Sequence, residues 1–244
     1  MRKIIYSLIL PILIIVVWAI LTTFTGYIPS YILPSPSEVF QSFLELIYNG
    51  SLLEATIYTL TQVFFGLIVS AAVAIPLGIL MGWSRKVEGL FGLIVGILRP
   101  IPPIAWIPFA ILWFGIGMTS SIFIIFAGSV FPILINTIDG VKRIDPVLPE
   151  AAYTLGATEF QTIRKVVLPA ALPNIITGLK VGVGIGLMCT VAAEMIGSNN
   201  GLGYIILTST SMLNTGAAIV GMLTIGIIGL GLDYLFNRVE KDLR

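Results

Sequence analysis

The sequence predicts an all-α integral membrane protein with six transmembrane helices and both termini on the cytoplasmic side. Three observations lead there. Of 244 residues, 57% are hydrophobic and only 10% charged, and the mean hydropathy is +1.04, the composition of a membrane protein rather than a soluble domain. A bilayer core needs roughly 20 residues of apolar helix, and segments at about 4–24, 55–82, 88–115, 120–138, 171–195 and 212–236 supply it. Of the thirteen Lys and Arg residues, eleven lie outside these spans: Arg2, Lys3, Arg85, Lys86, Lys142, Arg143, Arg164, Lys165, Arg238, Lys241 and Arg244. Threading six spans gathers all of them on one side, which the positive-inside rule assigns to the cytoplasm.

The first apolar run is too long for a signal-peptide core and lacks a small-x-small cleavage site, so it reads as a retained span. The outer loop that follows carries Glu38, Glu45 and Glu54 but no base. Within it, Ser35-Pro36-Ser37-Glu38 reads as a capping box with proline at the first helical position. Val39, Phe40, Phe43, Leu44 and Ile47 form one apolar stripe behind it, as expected of a short amphipathic helix lying on the outer membrane surface. Ser51-Leu-Leu-Glu54 reads as a second capping box, opening the second span.

The third span carries Pro100, Pro102, Pro103 and Pro108 directly after Arg99. Proline removes a backbone donor and disfavours helix in the residue before it. The span is therefore expected to break into about 88–98 and 104–115. Such a break is tolerated either as a kink packed against neighbours or as the lining of a wet pathway. In the fifth span Gly178, Gly182 and Gly186 recur every four residues, a face for close helix contact within one subunit or at a dimer seam.

Between the fourth and fifth spans lies a polar segment, residues 139–170. Asp145-Pro146 signals a helix start, with Pro149 as an alternative start that would otherwise cost an early hydrogen bond. Glu150 falls in the first turn, where free amide donors favour a carboxylate. Val147, Leu148, Ala151, Ala152 and Leu155 supply an apolar face, and Gly156 permits a left-handed end. Thr158-Glu-Phe-Gln161 is a capping box for a second helix, which Leu168-Pro169 is expected to stop. No repeat or low-complexity tract divides the chain, so residues 1–244 read as one membrane domain.

Composition excludes several functions. There is no histidine, and Cys189 is the sole cysteine, so imidazole or paired-thiolate metal sites and disulfides are excluded. The near-zero net charge argues against nucleic acid as a partner, and no cofactor motif is present. The G-x-x-x-x-G-K-[ST] phosphate loop is missing, so ATP hydrolysis would need a separate subunit. No nucleophile–base pair or metal-ligand set marks a membrane-embedded enzyme. An ion-coupled secondary transporter is the alternative, but such proteins usually carry several intramembrane carboxylates, and Glu194 is the single candidate.

The spacing Glu150-Ala151-Ala152, three residues, Gly156, nine residues, Val166, one residue, Leu168-Pro169 resembles the EAA loop of ABC-importer permeases, with Val166 in place of isoleucine. Arg99–Gly117 (RPIPPIAWIPFAILWFGIG), Pro34-Ser-Pro36 and Glu194–Tyr204 (EMIGSNNGLGY) are similar to segments of the nitrate/sulfonate/taurine-type subgroup. The resemblance implies a type I importer permease in the cell membrane of a prokaryote. It would pair with a second permease copy, expected to be identical, and work with two cytoplasmic ATP-binding subunits and an extracytoplasmic solute-binding protein. It also implies that the Glu150–Gly156 helix, with Leu168 and Pro169 behind it, couples to the ATPase. The cargo would be a small solute, with a nitrate-, sulfonate- or taurine-like anion expected. Arg99 and Lys180 lie within spans, where a charge is either snorkelled, paired or part of an anion path. Glu194, Asn199 and Asn200, at the outer end of the fifth span and in the loop after it, are expected to face the binding protein or a cavity mouth, or to be solvated loop polarity.

Overall fold

The computed structural model describes residues 2–24 and 29–242 of the chain, and every described element is helical. The helices are α1 (Arg2–Ala19), α2 (Pro36–Tyr48), α3 (Ser51–Trp83), α4 (Arg85–Leu98), α5 (Ile107–Phe114), α6 (Met118–Lys142), α7 (Val147–Thr154), α8 (Glu159–Thr162), α9 (Leu168–Gly197), α10 (Leu202–Ser211) and α11 (Thr215–Asp242). Four stretches are long and apolar enough to cross a membrane: α3, α6, residues 159–197 and residues 215–241. A fifth is the pair of α4 and residues 103–114, bent by 87°. The prolines explain that bend. Pro100, Pro102 and Pro103 cannot donate to a preceding turn, so the chain leaves α4 at Arg99 and re-enters through a 3₁₀ turn, Pro103–Trp106. The side chains of residues 2–8, Phe24 and Asp242 lie outside the described set, as does Arg244 entirely, so the expected cytoplasmic Arg2, Lys3 and Arg244 side chains fall outside it.

The chain divides into two compact units. The first comprises residues 1–58 and 200–226. Here α2 starts as expected: the Ser35 side chain accepts from the Glu38 N–H, while the Glu38 carboxylate accepts from the Ser35 N–H at 2.7 Å. Its stripe is uneven, because Val39 is buried whereas Phe40 and Ile47 stay exposed. The second expected capping box does not form. Ser51 is already helical, and its N–H donates to the Asn49 Oδ1 at 3.0 Å, with Gly50 at φ +75° ahead of it. Glu54 instead accepts from the Asn200 side chain at 2.8 Å. Helix α10 went unmarked in the sequence; Gly201 at φ 112° starts it and buries Leu202 and Ile206.

The second unit, residues 59–199 and 227–244, is built on helix contacts too close for side chains. A Cβ at Gly178 would lie 2.8 Å from the Asn136 Cβ and 3.1 Å from the Ile133 Cα; at Gly182 it would meet Ile133, and at Gly186 the Ser129 hydroxyl. The glycine face of α9 thus packs on α6 of the same chain, which decides between the two expectations for it. Ser129 adds a hydrogen bond to the Gly182 carbonyl at 2.8 Å. Gly66, Gly78 and Gly82 of α3 approach Ile125, Thr137 and Val141 of α6 in the same manner. Lipid gives little drive to apolar burial, so such close backbone approach supplies the attraction.

Gly178→Ala should therefore overpack the α6–α9 contact and destabilise the protein by about 1–3 kcal/mol. Gly184→Ala, where nothing lies within 4 Å, should be neutral or stabilising. Thermal unfolding in detergent compares the two.

Candidate functional site

The polar segment between α6 and α9 forms a helical elbow. The Asp145 carboxylate accepts the Val147 N–H at 3.0 Å, and the Pro146 carbonyl accepts the Glu150 N–H at 3.2 Å. Pro149 thus falls in the first turn of α7, where amide groups have no intrahelical partner anyway. It costs no hydrogen bond, contrary to the expectation, and the helix starts at Val147. The C-terminal end is a Schellman motif: the Ala157 N–H donates to the Ala152 carbonyl and the Gly156 N–H to the Tyr153 carbonyl. Gly156 adopts φ +83°, as that motif requires.

The Thr158 capping box forms as expected, with the Gln161 side chain accepting the Thr158 N–H at 2.9 Å. Leu168-Pro169 does not stop the helix. A π turn, Ile163–Val167, closes with the Leu168 N–H on the Ile163 carbonyl, and residues 159–197 run on as one helical stretch. The wide turn explains the correction, since it accommodates the Pro169 ring, which in a regular helix would meet the Lys165 carbonyl. The second arm of the elbow, α8, is therefore continuous with α9 rather than hinged to it, and α7 joins it through the Gly156 turn.

Charge and apolar surface are both displayed here. Glu150 and Ala151 are exposed, Ala152 is half-buried, and Leu148, Tyr153, Leu155 and Phe160 are exposed, Leu155 at 88%. Behind the elbow, Val141, Val167, Ala171 and Ile175 form a buried cluster against which Trp83, Ile144 and Leu168 pack. A cavity of about 610 Å³ lies beside α7, lined in part by Trp83, Arg85, Lys142 and Glu150. Lys142 is paired with Glu88 across its rim.

The three intramembrane charges do not converge. Arg99, exposed at the end of α4, lines a cavity of about 390 Å³ with Pro103, Pro132, Asn136, Val181 and Ile185. The proline break thus lines a cavity as well as bending the span. Lys180 faces elsewhere: its Nζ lies 3.3 Å from the Asp233 carboxylate and donates to Asn237 Oδ1 at 2.6 Å, both on α11. Glu194 is fully buried, not solvated loop polarity, and accepts from the Thr59 hydroxyl at 2.7 Å. Gln62, one turn along α3 from Thr59, is fully buried as well. Thr59 and Gln62 at a three-residue spacing, in an otherwise apolar span, were the signal that could have placed Glu194 in the interior.

Comparison with known proteins gives this arrangement a context. The profile of the family described as "Binding-protein-dependent transport system inner membrane component" matches residues 74–244. The chain belongs to that family. An ABC transporter permease protein of Methanocaldococcus jannaschii is 46% identical, across 98% of this chain and 91% of that protein. The taurine transport system permease protein TauC of Escherichia coli is 34% identical, across 96% and 86%. Among solved structures, a chain of the inward-facing MetNI methionine ABC transporter superposes with a TM-score of 0.73 at 22% identity, covering 82% of this chain and 98% of that one. This likeness establishes the fold. The protein is a multi-pass inner-membrane permease component of an ABC transporter.

The Thr59–Glu194 contact has a measurable consequence. Thr59→Val keeps the side-chain shape but removes a donor to a buried carboxyl, and should cost about 1–3 kcal/mol. A lowered unfolding temperature of the detergent-purified protein, several degrees below that of Thr56→Val on the same helix, is the expected result.

Proposed function

We propose that this chain is the membrane-spanning subunit of an ATP-driven importer and that α7 is where its motor grips. The observation that carries the reading is the elbow. An exposed helix with glutamate in its first turn, alanines behind it and glycine at its left-handed end is joined by the Gly156 turn to the helical stretch 159–197, which is long and apolar enough to cross a membrane. A contiguous apolar group outside the membrane favours a protein partner. Glu150, Ala151, Ala152 and Gly156 shape the docking face, and Leu168 and Pro169 carry the π turn into the span. ATP binding draws the two nucleotide subunits together, each moves its docked elbow, and α9 tilts with it. The site so exposed alternates between the two sides of the membrane.

The remaining parts follow from that assignment. The four long helices and the bent pair make five spans, and α1 makes the sixth, with both termini cytoplasmic. Residues 1–244 then act as one permease domain. Two copies form the pathway, a solute-binding protein delivers the cargo from outside, and hydrolysis belongs to the partner subunits. Arg99, beside the cavity at the proline break, favours a small anion, in keeping with the taurine system of one relative. Lys180 and Glu194 support the pathway from behind, through α11 and α3.

Gly156→Pro cannot keep φ +83°, and Glu150→Lys places a cation at a helix N-terminus. Each should abolish uptake and partner-stimulated ATP hydrolysis in reconstituted complex while leaving membrane insertion intact. Normal uptake by both variants rules the coupling role out.

A further inference from the structure

The second span ends at Trp83, and its ring packs on the cluster of Val141, Val167, Ala171 and Ile175 where α6 meets the root of α9. From there the indole N–H donates to Glu159 Oε1 at 3.0 Å. Glu159 is the first residue of the helical stretch 159–197, a position where free amides favour a carboxylate and hold it in place. Among the described residues, this is the one side-chain hydrogen bond that joins residues 147–162 to another span. The Lys142–Glu88 pair joins α6 to α4 and bypasses the elbow. At the far end of the same two helices Thr59 donates to Glu194, and Val63, Val183 and Leu187 pack between the two ties.

We propose that Trp83 and Glu159 are positioning residues that yoke the second span to the elbow, so that α3 and the 159–197 stretch turn as one body when the motor moves α7. Without this bond the elbow would still drive α9, but its base could swing against the end of α3, and part of the stroke would be lost as bending. The proposal rests on the coupling role assigned to α7, and specifies which second helix receives the motion. The bond is charge-assisted but lies at the surface, and losing such a bond shifts an equilibrium by about two- to fivefold.

The test uses the complete transporter with its ATP-binding subunits, in a Cys189→Ala background. Spin labels at Phe64 on α3 and Phe160 on the elbow, both well exposed, report their separation with and without ATP plus vanadate. With the yoke intact the distance should stay fixed. In Glu159→Ala and in Trp83→Phe it should broaden and shift on trapping by about one helical turn, roughly 5 Å. Glu159→Gln, which keeps an acceptor oxygen, should restore the fixed distance, whereas a merely electrostatic role would not be rescued. Glu159→Met, which keeps the bulk but no acceptor oxygen, should behave as Glu159→Ala, whereas a merely packing role would be rescued by it. The double variant should behave as either single one does. A fixed distance in Glu159→Ala, or no rescue by glutamine, overturns the proposal. Gly156→Pro separates it from the reading beneath: full activity there sinks both, whereas inactivity there beside an unaffected Glu159→Ala sinks the yoke alone.

Discussion

At Gly178 an added Cβ would stand 3.1 Å from the Ile133 Cα, and at Gly78 only 2.7 Å from the Thr137 Cβ. Helix α6 is thus gripped from both sides, by α9 and by α3, at distances that only glycine permits. In water such a block would be held by apolar burial. In lipid that force is weak, and short-range packing together with hydrogen bonds such as Ser129 to the Gly182 carbonyl must replace it. The rest of the second unit depends on that grip. It fixes the register of α9, and hence places Glu194 opposite Thr59 at one end and Val167 inside the apolar cluster at the other.

A block packed this closely deforms little, and in the proposed mechanism motion enters it as rigid-body rotation. The π turn bears on how that motion enters. Had Leu168-Pro169 ended one helix and begun another, the elbow would hang on a joint, and a push on α7 would dissipate there. Because the wide turn absorbs Pro169 without interrupting the helical path, residues 159–197 form one helical stretch long and apolar enough to cross a membrane, which is what the proposed lever requires. The proline-broken third span plays the opposite part. Its 87° bend interrupts the regular helix between α4 and α5 and leaves Arg99 beside a cavity that α6 and α9 complete.

Much of this was legible in the residues. Five of the six expected spans, the break after Arg99, the Ser35 and Thr158 capping boxes and the left-handed Gly156 each follow from a local rule with one strong outcome. What was missed depended on context. Ser51-Leu-Leu-Glu54 satisfies the capping pattern, yet Asn49 reaches the same amide first and Glu54 is taken by Asn200. Leu168-Pro169 satisfies the stop pattern, but a π turn offers an exit that no dipeptide rule contains. Glu194 looks like loop polarity because its partner Thr59 lies 135 residues away. The Trp83–Glu159 bond is hidden for the same reason, each residue being ordinary where it stands in the sequence.

We propose that the gripping of the elbow by a separate motor joins the packed block, the helical stretch 159–197 and the cavity into one device. A single cysteine at Leu155, 88% exposed at the tip of the elbow, in a Cys189→Ala background, tests it by chemical crosslinking in the purified complex. The account predicts a covalent adduct with the ATP-binding subunit, formed at a rate that changes when ATP is added. A cysteine there that remains freely reactive with a small water-soluble maleimide, and yields no adduct in either state, would contradict it.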